Sequence, residues 1–210
     1  MRDISSVFVQ ISNHRYTTFG FMKFKLLPSY PLFFIFSGMM MCSLALYSQN
    51  IFESKSALVS FSSKAPHENI SAATTSLKGL LNTADNNFAF SIDVNSFKGF
   101  NSDLQREHFN ENYLESDVYP KASFSGKLID KFDVSLTTQK IRSKGSLDIH
   151  GVKKERIIEV TIVKTGESYL VSTSFIIPLT DHGIKIPKIV NQKIAESIDV
   201  VVKSEMVKRQ

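Results

Sequence analysis

The chain has no tryptophan and a single cysteine, Cys42. One thiol cannot form a disulfide within the chain, so stability must come from a packed core. Glycine and proline are sparse, nine and six in 210 residues. Past residue 55 no stretch rich in either reads as a linker, and no internal repeat is visible, which leaves a single domain there. No G-x-S-x-G elbow and no phosphate-cradling glycine loop occurs. The histidines beyond residue 48 are His67, His108, His150 and His182. No two of them stand at helical or i, i+2 spacing, so no metal-ligand pattern is visible. Together these absences argue against an enzyme and against a bound cofactor.

Charge of one sign is also scarce. The net +5 owes much to Arg2, Arg15, Lys23 and Lys25, which precede residue 49 with only Asp3 opposing them. The remainder is close to neutral, which gives no electrostatic case for nucleic-acid binding. The longest apolar run, near 32–46, holds about 15 residues and falls short of the ~20 that a spanning helix needs. It follows Lys23 and Lys25 and ends in Tyr47, Ser48 and Gln49. A basic start, an apolar middle and a small-residue exit describe a secretory signal peptide, cleaved after Ser48. An uncleaved anchor is the alternative. "MMMC" lacks the small residue that precedes a lipidated cysteine. Met22 is the expected natural start, with 1–21 an upstream extension. The chain thus divides into a signal segment, 1–48, and a domain, 49–210, exported to a periplasmic or extracellular space.

What is present is phenylalanine, 17 in all, set in alternating patterns. "SALVSFSS" (56–63) places Ala57, Val59 and Phe61 on one side, as a half-buried strand does. "NFAFSIDV" (87–94) places Phe88, Phe90, Ile92 and Val94 together and is the cleanest strand. Weaker or shorter strand patterns cover 70–83, 121–130, 142–151, 155–164, 168–178 and 197–207. "VKK" (152–154) and "TGE" (165–167) read as short hairpin links, which suit antiparallel pairing. Two helical inserts interrupt the strands. One starts at the caps Asn101, Ser102 and Asp103 and runs through Leu104, His108 and Tyr113. The other spans 187–196, with Pro187 in its first turn. Eight antiparallel strands can close into a barrel with room for packed side chains or one small ligand. The 95–120 connection is too long for a hairpin loop, and long ordered loops are often lids.

The order of these features carries a resemblance. "R-E-H-F" (106–109) precedes "Y-P-K-A-S-F-S-G" (119–126), then "G-S-L-D-I-H-G-V-K-K" (145–154) and "P-K-I-V-N-Q-K-I-A" (187–195). Over about residues 55–206 the chain resembles the YceI-like family of bacterial exported proteins. The resemblance implies an all-β, eight-stranded, lipocalin-like antiparallel barrel with short helical inserts. It also implies an elongated apolar interior holding a polyisoprenoid, an isoprenoid quinone or a similar long-chain lipid.

On that reading the ligand-binding residues are Phe88, Phe90, Ile92, Phe124, Leu128, Leu147, Ile149, Val160 and Phe175, with Ile158, Ile162 and Ile177 also facing inward. The inward parity of 155–164 and 168–178 is open, because both segments are apolar on both sides. Arg106 and His108 are the candidate head-group contacts, with Asn101 and Asn112 beside them. Two other readings stand. One is a solid-core envelope or stress protein acting through its outer surface. The other is a lipid-modifying enzyme, which would need His108 or His150 beside a carboxylate and facing the interior. The expected partner is a long-chain lipid, with transient membrane contact and an open oligomeric state in which a dimer is one option.

Overall fold

Apolar and polar residues alternate along nine segments, and each forms a strand. The computed structural model describes residues 50–209. The expected signal segment, its cleavage point, Cys42 and the start at Met22 lie outside the described residues. The strands are β1 (Ile51–Lys64), β2 (Asn69–Thr74), β3 (Lys78–Asn82), β4 (Asn87–Asp93), β5 (Lys121–Leu128), β6 (Thr138–Ile149), β7 (Val152–Thr165), β8 (Ser168–Pro178) and β9 (Ser197–Lys208). They pair antiparallel in the order β2-β1-β3-β4-β5-β6-β7-β8-β9, and β9 pairs back with β1. That last ladder runs from Phe52↔Lys208 to Ser62↔Asp199 and closes the sheet. The result is a closed eight-stranded antiparallel barrel with one extra strand, β2, lying along β1 beyond the reach of β3. No helix among the described residues is long and apolar enough to cross a membrane.

Four local features depart from the sequence expectation. Residues 70–83 form two strands, not one. Thr74 Oγ1 accepts a hydrogen bond from the Ser76 amide at 3.0 Å and lies 2.6 Å from the Ser96 hydroxyl. Such side-chain bonds compete with the ladder and end β2 there. Second, β1 starts at Ile51, ahead of the expected strand, and a bulge between Ser54 and Ser56 shifts its register. The bulge swaps the inward parity from Phe52 and Ser54 to Val59, Phe61 and Ser63, so simple alternation hides the first turn of the strand. Third, residues 152–154 belong to β7. The link is the two-residue turn His150–Gly151, with φ of 54° and 71°. Positive φ at both central positions is the hairpin turn that matches strand twist. Fourth, the helix expected over 187–196 shrinks to one 3-10 turn, Lys188–Val190, with no side-chain cap bond. Its residues have no partner face on which to bury, and a short helix does not hold without one.

The β4–β5 connection begins with a 3-10 turn, Val94–Ser96, and continues into helix α1 (Asp103–His108). The Ser102 hydroxyl caps α1 by accepting from the Gln105 amide at 3.2 Å. The helix then widens into a π-turn, Phe109–Tyr113. This connection lies at the upper end of the barrel, together with the His150–Gly151 turn and the β8–β9 connection. The lower end carries the β5–β6 loop, residues 129–137.

Two apolar clusters plug the two ends. Below, Phe132 and Phe52 pack edge-on against Tyr169, with centroids 5.2 Å and 5.0 Å away. Leu81, Phe88, Leu128, Ile141, Ile162 and Met206 complete that cluster. Burial raises the Tyr169 phenol above its ordinary range. Above, Phe61 meets Phe97, Phe100 and Phe109 at 5.3, 6.0 and 5.4 Å. The lower loop is stapled to the barrel. Arg142 donates from Nη2 and Nε to Asp130 at 2.7 and 3.1 Å, and its own amide donates to the same carboxylate at 2.8 Å. The hydrogen bond from the Arg142 side chain, the largest cause, holds the Asp130 carboxyl down from 3.8 to about 2.

Two outcomes follow from this architecture. Asp130 binds its proton less readily in the folded state, so its stabilising contribution is present above the unfolded value near 3.8 and is lost as pH falls toward about 2. Acid unfolding curves should therefore show a steeper loss between those limits in the wild type than in Arg142→Gln. Gly126 faces Gly145 across the β5–β6 ladder. A Cβ at Gly126 would stand 2.1 Å from the Lys144 carbonyl oxygen, with backbone as the obstacle. Gly126→Ala should cost roughly 1–3 kcal/mol, read from the denaturation midpoint.

Candidate ligand-binding cavity

Between the two plugs the barrel is hollow. Inward side chains from every ring strand surround a cavity of about 210 Å³ whose exposed wall is almost wholly carbon. A single buried water needs only roughly 10–15 Å³, so this space is far larger than a packing defect. The nine apolar positions singled out from the sequence, Phe88, Phe90, Ile92, Phe124, Leu128, Leu147, Ile149, Val160 and Phe175, all line it, as do Ile158, Ile162 and Ile177. The parity left open in β7 and β8 is settled by the barrel: Ile157 and Ile176 face out and are exposed.

Small inward residues make the room. Gly79 pairs with Phe90 across β3 and β4. A Cβ at Gly79 would fall 2.0 Å from a carbon of the Phe90 ring, so the ring lies over the missing side chain. Phe124 uses Gly145 in the same way, at 2.9 Å. Ser143 and Ser204 also face the cavity, yet their hydroxyls are spent on the barrel itself. Ser143 donates to the Ile158 carbonyl at 2.8 Å, and Ser204 to the Ser56 carbonyl at 3.2 Å. Thr173 donates to the Glu159 carbonyl at 2.7 Å. The interior therefore offers dispersion contacts and almost no free polar group.

The upper rim contains residues that alternation along strands could not reveal. Phe109 and Leu114 hang from the π-turn region into the cavity, and Phe97, Leu179 and Ile184 join them from the connections. Phe109 sat beside the expected helix face in the sequence, and its inward direction is fixed by its contacts with Phe61, Phe97 and Phe100. Val59, Phe61, Val200 and Val202 also line the cavity; their period-two spacing was the available signal. Arg106 and His108 are placed differently. Both are exposed on α1, and neither lines the cavity. Asn101 and Asn112 are exposed too, and Asn101 Nδ2 donates to the Asn69 carbonyl at 3.0 Å.

A polar latch closes the lid onto the barrel. His150 Nδ1 lies 3.2 Å from the His182 carbonyl and Nε2 lies 2.9 Å from Glu115. The carbonyl and the carboxylate both accept, so each ring nitrogen can bond its partner only by donating. Tyr119 packs edge-on against His150 at 4.8 Å. Glu115 and His150 both hold positive φ, 43° and 54°, a conformation that non-glycine residues adopt at a cost. His182 is fully buried and donates from Nδ1 to the Val152 carbonyl at 3.0 Å. The Glu115–His150 pair thus meets one condition of the enzyme reading, a histidine beside a carboxylate. It fails the other, because neither residue lines the cavity. Among the described residues no group of three or more metal-ligating side chains gathers.

A closed antiparallel barrel whose carbon-lined hollow lies between two aromatic plugs defines the chain as a lipocalin-like barrel protein. The YceI-like domain profile matches residues 51–206, and the chain belongs to the YceI-like family. Solved structures share the fold at low identity. A polyisoprenoid-binding domain from Saccharophagus degradans, implicated in plant cell wall breakdown, is 16% identical, with 77% of this chain and 99% of that one aligned and a TM-score of 0.65. BcnA of Burkholderia cenocepacia is 16% identical, with 71% and 95% aligned and a TM-score of 0.60. The YceI protein of Campylobacter jejuni is 17% identical, with 62% and 78% aligned and a TM-score of 0.51. Comparison with curated proteins returned no match.

The latch yields a direct test. Glu115→Gln keeps the shape of the side chain and removes its charge. It should leave the melting temperature nearly unchanged, since a half-exposed pair contributes under about 1 kcal/mol. Amide exchange across residues 114–119 should rise severalfold. Unchanged exchange would show that the lid is held by Phe109 and Leu114 alone.

Proposed function

We propose that this protein is an exported carrier that sequesters a long-chain apolar molecule, a polyisoprenoid, an isoprenoid quinone or a similar lipid, inside its barrel. The observation that carries this reading is the carbon-lined cavity of about 210 Å³. A hydrocarbon chain gains roughly 0.8 kcal/mol per methylene that leaves water, so affinity needs no polar contact. The polyisoprenoid-binding domain with the same fold supports the choice of ligand class. Phe88, Phe90, Ile92, Phe124, Leu128, Leu147, Ile149, Val160 and Phe175 form the wall against the chain. Phe109 and Leu114 control access beneath the lid. Arg106 and His108 stand outside that wall, so a head group would reach them only by emerging past the lid. The hollow favours the carrier over a solid-core envelope protein, whose interior would be filled.

Native mass spectrometry of the purified protein, alone and after incubation with prenyl lipids, is the test. Bound mass that proves to be lipid on extraction is the expected result. A protein with no bound mass that also ignores added prenyl lipid would overturn the reading. A second variant separates hollow from solid. Val160→Trp should fold with little loss of stability and lose lipid uptake, because the ring occupies the cavity. In a filled core the same change would cost roughly 1–3 kcal/mol by overpacking.

A further inference from the structure

Within the β8–β9 connection, residues 183–196 have an unusual surface. Ile189 is 91% exposed at the tip of the 3-10 turn Lys188–Val190. Lys185, Lys188 and Lys193 surround it, all exposed. None of the three lysines takes part in an ion pair among the described residues, and no acidic residue falls between Asp181 and Glu196. The same connection sends Ile184 inward, where it is buried and lines the cavity. One short loop thus touches the hollow with one isoleucine and offers another to solvent. The loop is anchored, because the His67 amide donates to the Gln192 carbonyl at 2.9 Å and the Ala195 amide to Ser63 Oγ at 2.9 Å. The lid lies four strand positions round the barrel and carries the opposite charge: Asp103, Glu107, Glu111, Glu115 and Asp117 against Lys98 and Arg106.

We propose that the 183–196 connection docks the barrel on an anionic phospholipid bilayer, with Ile189 inserted below the head groups and the three lysines on the phosphates. An exposed apolar tip framed by unpaired cations suits an interface that is apolar inside and negative outside. The acidic lid segment is repelled by the same surface, so the barrel tilts onto its β8–β9 side. The cavity rim at Ile184 then lies next to the bilayer. This extends the carrier reading and rests on it for its purpose, since a water-insoluble cargo is best transferred without crossing water. The docking itself needs no cargo and is measured without any.

The experiment is co-sedimentation of the full chain with vesicles of phosphatidylglycerol and phosphatidylcholine in equal parts, against vesicles of phosphatidylcholine alone. Residues 1–48, with Arg2, Arg15, Lys23 and Lys25 against Asp3, are common to every variant, so the contribution of the loop is the difference between wild type and variant on the same vesicles. Preference for the anionic vesicles by roughly tenfold or more, reduced as salt is raised, is expected. Ile189→Asp should reduce that preference at least severalfold, and the combined Lys185→Glu, Lys188→Glu, Lys193→Glu variant should reduce it to the level set by residues 1–48. Thermal melts matching the wild type will show that these exposed changes leave the barrel folded. Equal binding of both vesicle types by the wild type, or undiminished anionic binding by the two variants, would overturn the proposal. Val160→Trp separates the two ideas: it should dock like the wild type, even if no variant ever takes up lipid.

Discussion

The β1–β9 ladder is the constraint on which the rest depends. It joins the first and last strands of the sheet from Phe52↔Lys208 to Ser62↔Asp199. Without it the sheet would be an open, twisted ribbon with two long unpaired edges. With it, the radius is set by strand number and stagger, whatever side chains happen to point inward. Those side chains must then either fill a cylinder of fixed width or leave a void. Here three inward positions are glycine, Gly79, Gly126 and Gly145, and two are the serines Ser143 and Ser204. Phe90 lies over Gly79 and Phe124 over Gly145, against the barrel wall, and space is left between the inward faces.

The hollow is kept apolar by how polar groups are spent. The inward hydroxyls of Ser143, Thr173 and Ser204 bond to strand carbonyls, and those of Ser54 and Ser204 to each other. The charged groups work at the rims. Arg142 and Asp130 hold the lower loop, and Glu115, His150 and His182 tie the lid to the turn at the upper end. A molecule with little beyond hydrocarbon to offer is what such an interior can accept, and burial of surface is the force that would hold it.

Much of the fold was legible in sequence because strand periodicity is local. Phe88, Phe90 and Ile92 declare one face regardless of what they pack against. Phe124, Leu128, Leu147 and Ile149 do so with nearly the same clarity. Family motifs then selected the barrel from among other antiparallel arrangements. Apart from the His150–Gly151 turn, the missed features named next depend on partners far along the chain. The bulge at Ser54–Ser56 is visible only against β9. The break at Thr74 involves Ser96, 22 residues away. Arg106 and His108 stood at plausible helical positions, yet the face of α1 that looks inward is set by where Phe109 finds Phe61, Phe97 and Phe100.

Sequence alone therefore determined which residues alternate, which segments turn, and which side chains are apolar enough to leave water. Propensity and period act over a few residues and need no tertiary partner. Only the closed structure decided that the apolar faces surround a space instead of one another. That outcome turns on the radius imposed by eight paired strands and on glycines aligned across different strands, and neither is a property of any one stretch of chain.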